Sequence, residues 1–259
     1  MSHSLTMKAV FYFLIGVAIY FFYLLASIPA NFAINKFLPG NISSSINYTN
    51  SSGTLWSGKL AGLSVKKIDL GKVNWELSAI PLIWGSTNLH LTARRDDALL
   101  RTRALLKAGQ LQLGNTELEI PVSDLMPLLY GLPISFDGNF RAHFKDIIIE
   151  PGKQLTIKGR AVLTDVKLVA PQALSLGNFI IQFEAEENGT RITINDEQGP
   201  VAVDAVVNLS GAGRYTFKST FTPQPSADDT IKNSLVMLGS ADSQGRHSIS
   251  YSGVLPIKF

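Results

Sequence analysis

The chain contains no cysteine among its 259 residues. Disulfide frameworks, thiolate metal sites and cysteine nucleophiles are therefore excluded. Secreted animal domains of modest size are often stapled by disulfides, whereas exported bacterial domains frequently do without them, so the absence is compatible with a bacterial envelope protein. Charge is scarce as well: only 17% of residues are charged, and the net charge is +3. Lys8 is the only charged residue before position 29, which leaves 22 Lys and Arg against 20 Asp and Glu in the remainder. The densest run, Arg94-Arg95-Asp96-Asp97, cancels itself. No cluster of Lys and Arg with interleaved aromatics is present, so no nucleic-acid partner is expected.

Residues suited to catalysis are equally sparse. The four histidines, His3, His90, His143 and His247, fall in no metal-ligand spacing. His90 and His143 lie out of phase with the apolar residues beside them and are expected to be solvated. There is no GxSxG elbow, no GxxxxGK[ST] loop and no GxGxxG after a strand. Glu184, Glu186 and Glu187 sit mostly on a polar face, and Asp228-Asp229 reads as a helix cap. Five Asn-x-Ser/Thr matches, at Asn41, Asn47, Asn50, Asn188 and Asn208, arise readily in a Ser/Thr-rich chain. These absences lead us to expect no catalytic, cofactor-binding or metal-binding residue, and no enzyme activity.

What is abundant is apolar sequence in two different periods. Ala9 to Ile28 holds no charge, amide or proline. At 1.5 Å per residue, about twenty helical residues span ~30 Å, the thickness of a hydrocarbon core. The run is longer than a signal-peptide core, and Ile28 spoils a small-x-small cleavage site. An uncleaved transmembrane helix over residues 9–28 is expected, with residues 1–8 as a cytoplasmic head. A long following domain argues that the C-terminal side is the translocated one, although Lys8 and Lys36 nearly balance across the span. Pro29, Pro39, Gly40 and the Ser/Asn-rich stretch to Ser52 read as a polar tether over 29–52.

From Gly53 to Phe259 the period is two. Val73-Trp75-Leu77, Leu89-Leu91-Ala93, Leu118-Ile120-Val122 and the run Phe136 to Phe144 all alternate. Leu155 to Leu163 continues the series, and the phase then flips to Val166 and Leu168, which places a bulge or turn at Thr164-Asp165. Phe179-Ile181-Phe183-Ala185 runs into Asn188-Gly189, a hairpin signal. A two-residue turn there would pair Glu187 with Thr190, Ala185 with Ile192 and Phe183 with Ile194. Short helices are expected over Asp124–Tyr130 and about Asp228–Leu238. The apolar face of this long antiparallel sheet could be buried in a sandwich or barrel, or left as an open, curved groove. Phe136, Phe140, Phe144, Phe179, Ile181 and Phe183 would line such a groove, making lipid a candidate partner.

Several residue groups recur in a characteristic order: Gly53-Thr54-Leu55-Trp56-Ser57-Gly58, then Trp75-Glu76-Leu77, Pro81-Leu82 and Gly85, then Leu238-Gly239, Asp242, Gly245 and Gly253. With the N-terminal span, this pattern resembles the type II secretion system protein N family (general secretion pathway protein N) along nearly the whole chain. The resemblance implies an inner-membrane protein of Gram-negative bacteria with a periplasmic domain. It implies a non-catalytic accessory part of the machine that exports folded proteins across the outer membrane, with other secretion-system proteins as partners. The tryptophan-glycine patterns are similar in style to AsmA-type envelope proteins, which favours the open groove. The tryptophans themselves are expected to be structural.

Overall fold

The computed structural model describes residues 3–32, 46–65, 68–79, 81, 85–107, 110–128, 135–150, 155–170, 173–187, 189–210, 213–236 and 240–254. It opens with helix α1, His3–Ala26, 24 residues long. The helix closes where Ser27 N donates to Tyr23 O and Leu24 O, two residues before Pro29, whose ring disfavours further helix. Side chains of α1 are described at positions 12–17 and 19–26. Among the described residues no helix is long and apolar enough to cross a membrane. The full α1 backbone measures about 36 Å at 1.5 Å per residue. Its described apolar side chains are exposed on every side, Phe13 at 71% and Phe22 at 74%.

Among the described residues fourteen antiparallel strands follow: β1 (Ile46–Asn47), β2 (Asn50–Gly53), β3 (Ser57–Val65), β4 (Ile68–Ser78), β5 (Ser86–Arg95), β6 (Ala98–Lys107) and β7 (Gln110–Pro121). After these come β8 (Ser135–Ile149), β9 (Leu155–Ala170), β10 (Leu174–Glu186), β11 (Gly189–Glu197), β12 (Val201–Ser210), β13 (Arg214–Pro223) and β14 (His247–Val254). From β3 onward each strand pairs with its neighbours in sequence, a meander of twelve strands that β1 on its first edge widens to thirteen. β1 and β2 both pair with β3, as two pieces of one broken edge strand. Among the described residues β14 pairs with β13 alone, so the sheet does not close on itself. The sandwich and barrel alternatives thus give way to the open sheet.

Two details differ from the sequence reading. The sheet starts before Gly53, because β1 and most of β2 lie in the stretch read as tether. Edge strands made of Ser and Asn pair through their backbone while their side chains stay in water, so they carry no apolar period. The β10–β11 hairpin is also shifted: Glu186 pairs with Gly189, Ala185 with Thr190 and Phe183 with Ile192. A slip of two residues keeps every side chain on its own face, so face alternation could not have detected it. The expected bulge does lie where the phase flips. Asn139 pairs with Thr164 but Asp137 with Lys167, so one extra residue is held on β9. Asp165 takes a φ of 54°, and its N–H donates to Asn178 Oδ1 at 2.9 Å.

One sheet face is polar. It carries cross-strand contacts such as Arg141–Glu119 at 2.8 Å and Arg103 Nε to His90 Nε2 at 2.9 Å. His90 and His143 are both exposed. The other face is apolar and holds three buried clusters. Leu60, Leu63, Val73 and Ala93 form the first, under Trp75. Ala142, Phe144, Ala161 and Ile181 form the second. In the third, helix α2 (Asp229–Val236) packs Ile231 and Leu235 on Val201 and Phe221. Asp228 Oδ1 accepts from Ile231 N at 2.8 Å and caps that helix, as its sequence suggests. The other expected helix is a 3-10 turn, Val122–Leu128, starting two residues earlier than Asp124; residues 129–134 lie outside the described residues.

Candidate functional site

Over the second cluster the apolar face opens into a pocket of about 480 Å³. Phe136 and Phe140 of β8, Leu163 and Val166 of β9, Leu176, Phe179 and Ile181 of β10, and Ile194 of β11 line it from the sheet. Val122, Leu125 and Met126 of the 3-10 turn complete the lining. Strand alternation puts Phe136 and Phe140 on one face, and the bulge at Asp165 brings Val166 back to that face after Leu163. Every described lining side chain is apolar. Among the described residues the pocket therefore offers no side-chain hydrogen bond, no acid or base and no metal ligand; its chemistry is exclusion of water from hydrocarbon.

Four of the six residues expected to form a groove, Phe136, Phe140, Phe179 and Ile181, line the pocket together. Phe144 and Phe183 do not. They pack edge to face beside it, with ring centroids 5.1 Å apart and planes at 75°. Leu125 and Met126 escaped the groove reading although both lie in the expected short helix, because nothing local says which strand that turn folds back upon. Thr190 also escaped it, and is almost fully buried. Its Oγ1 donates to Leu155 O at 3.1 Å and accepts from Ile157 N at 2.9 Å, replacing strand pairing where β10 turns away from β9.

The recurrent motif residues fall at junctions. Trp56 Nε1 donates to Leu25 O at 2.8 Å, satisfying one of the carbonyls left free at the C-terminal end of α1. Leu55 N donates to Ile28 O at 2.9 Å, and Pro29 bridges to Thr54. Trp75 Nε1 donates to Leu55 O at 3.1 Å, and its ring covers Gly58 so closely that any Cβ there would overlap it. Gly53 ends β2 directly before this junction. Gly85 immediately precedes β5, and Pro81 O accepts from Ser86 Oγ at 3.2 Å. Near the other end, Asp242 Oδ1 accepts from Gln244 N and Arg246 N, at 2.8 and 3.0 Å. Arg246 Nε completes the turn with Asp242 Oδ2 at 2.9 Å. These bonds hold the Asp242 carboxyl below the usual range, the backbone donors foremost. Gly245 takes a φ of 73° in this turn. Gly253 lies beneath the ring of Tyr215. Leu238 and Gly239 lie outside the described residues.

One charged cluster reaches the 3-10 turn that lines the pocket. Arg95, at the end of β5, donates from Nε to Asp97 Oδ1 at 2.6 Å, from Nη1 to Asp69 O at 3.1 Å and from Nη2 to Asp124 Oδ2. Its pKa is raised further by the bonds to Asp97 and Asp124, and that of Asp97 is lowered by the same Arg95 bond.

This sheet, with Trp75 over Gly58 near its first edge, is matched along its length by one family model, that of type II secretion system (T2SS) protein N, over residues 44–250. The chain belongs to that family. The match begins after α1 and takes in β1 to the first half of β14, so the sheet is the family's common unit. A type II secretion system protein N of Vibrio cholerae is 22% identical over 233 residues, covering 88% of this chain and 91% of that one. The Aeromonas hydrophila protein of that name is 25% identical over 242 residues, 90% of this chain and 94% of its own. That of Klebsiella pneumoniae is 25% identical over 238 residues, 90% and 91% respectively. No solved structure matches the chain. As a member of the protein N family, the chain is a type II secretion component.

Proposed function

We propose that this chain is a non-catalytic, inner-membrane-anchored component of the secretion system. Its sheet would stand in the periplasm and assist assembly or stability of the complex that exports folded proteins across the outer membrane. In this reading residues 1–8 are cytoplasmic, 9–28 span the membrane and the β domain beyond is periplasmic, in contact with other secretion-system proteins. The observation that carries it is the junction between helix and sheet. A helix whose described apolar side chains are exposed on every side is poorly suited to water, and its end is hydrogen-bonded into Leu55 and Trp56 at the first edge of the family's sheet. A helix docked in this way is suited to hold the sheet at a membrane surface. Deleting the gene in a strain that depends on the system should lower export and the amount of assembled complex. Restoring the full chain, but not residues 29–259 alone, should recover both. Normal export with normal complex composition after deletion would refute the reading.

The pocket favours a second reading, a lipid- or amphiphile-binding groove. Its support is a concave wall of eleven apolar side chains, whose volume falls in the ~300–1,000 Å³ range of small-molecule sites. Native mass spectrometry of the full chain released from detergent tests it. A protein that never retains a lipid or amphiphile in the pocket counts against this reading and leaves the assembly reading standing.

A further inference from the structure

The 3-10 turn Val122–Leu128 does more than end β7. Val122, Leu125 and Met126 line the apolar pocket together with Phe140, Phe179 and Ile181. Asp124 of the same turn does not line the pocket; its carboxylate accepts from Arg95. One guanidinium thus ties the turn to two other places, the Asp69 carbonyl of β4 and Asp97 in the β5–β6 turn. Asp69 O and Asp97 fix the guanidinium on the sheet, and Asp124 is the single charged contact by which it holds the turn. The pair is sheltered, with side-chain exposures of 21% and 25% for Arg95 and Asp124.

We propose that Val122–Leu128 is a lid, clasped shut by Arg95 through Asp124, over a binding pocket for one acyl chain of a membrane phospholipid. The proposal rests on the amphiphile-binding reading above. The occupant follows from the walls. A peptide or sugar in this pocket would leave its polar groups unpaired against apolar side chains, which is strongly unfavourable, whereas a hydrocarbon chain leaves nothing unpaired. The headgroup must then stay outside, so the pocket takes a chain and not a whole lipid. The source follows from continuity. The apolar helix α1 is joined by hydrogen bonds to the first edge of the same sheet, so in the anchored reading the bilayer is the source of acyl chains that the sheet meets.

The test uses the full chain in bilayers that contain a phosphatidylethanolamine with a photoreactive acyl chain. Adducts are mapped by mass spectrometry, and those on α1 serve as the internal standard for contact with lipid. Wild-type protein should carry adducts on peptides containing Phe140, Phe179 or Ile181. Asp124→Asn keeps the shape of the side chain and touches only the clasp. It should raise pocket adducts relative to α1 adducts about threefold, as expected for loss of a sheltered ion pair. Arg95→Ala should do at least as much, and Arg95→Lys should fall between Arg95→Ala and wild type. Pocket adducts that are equal or fewer in Asp124→Asn overturn the lid while leaving the groove reading intact. Adducts confined to α1 in every variant overturn both.

Discussion

At the scale of single residues, the sheet depends on a few side chains that finish backbone pairing where strands alone cannot. Thr190 is the sharpest case: one buried hydroxyl serves both a carbonyl and an amide of β9. Thr190→Val keeps the shape and removes both bonds, leaving two backbone groups unpaired. A destabilisation of about 2 kcal/mol is expected, measured as a lowered denaturant midpoint, with Thr190→Ser much closer to wild type. Asp242 gives a prediction in pH. Its folded pKa lies below its unfolded value because the charged form accepts bonds from Arg246 and Gln244. It therefore stabilises the 242–246 turn above the unfolded carboxylate pKa, and that contribution is lost as pH falls through the lowered folded value. Amide exchange of Gln244 and Arg246 should accelerate, relative to intrinsic rates, as pH drops below about 4, and Asp242→Asn should remove most of this pH dependence. Neither role could be read from sequence. Thr190 looked like one more strand threonine, and an aspartate two residues before Gln244 signals a turn only once the backbone folds back to it.

At the scale of elements, what was legible was what is local. The flip of apolar phase at Thr164-Asp165 predicted the bulge, because side-chain alternation reports backbone phase directly. The cap at Asp228 and the apolar stripe of Ile231 and Leu235 predicted α2. Asp228→Ala should cost about 1 kcal/mol of helix stability and selectively speed amide exchange in α2. The hairpin register was illegible to within two residues, since both registers satisfy the faces equally. The broken edge strand β1–β2 was illegible because it has no apolar face. Four of the six groove residues were found from strand alternation, yet the wall formed by Leu125 and Met126 was not. That wall depends on a turn folding back over strands that follow it in the chain, and no short-range pattern encodes that contact.

At the scale of the molecule, openness is the property that matters and the one least visible in sequence. Whether β14 returns to β1 is a question about two edges some two hundred residues apart. Thirteen strands at about 4.8 Å spacing make a sheet roughly 60 Å wide, with α1 joined at one edge and β14 at the other. Such a sheet can be held at a membrane by its first edge and still present its far edge at a distance. The join is testable. Trp56→Phe keeps the ring and removes the N–H to Leu25 O. We expect about 1 kcal/mol of lost stability and faster proteolysis between α1 and β3, with the sheet's own resistant core unchanged.

The central claim is that α1 anchors the sheet on the periplasmic side of the inner membrane, and the absence of cysteine makes it directly measurable. Single cysteines placed at Ser4 or at the exposed Ser240 would be the only thiols in the chain and can be probed with a membrane-impermeant maleimide on spheroplasts. The account predicts that Ser240→Cys is labelled in intact spheroplasts and Ser4→Cys only after the membrane is permeabilised. Labelling of Ser4→Cys in intact spheroplasts with Ser240→Cys protected would contradict it.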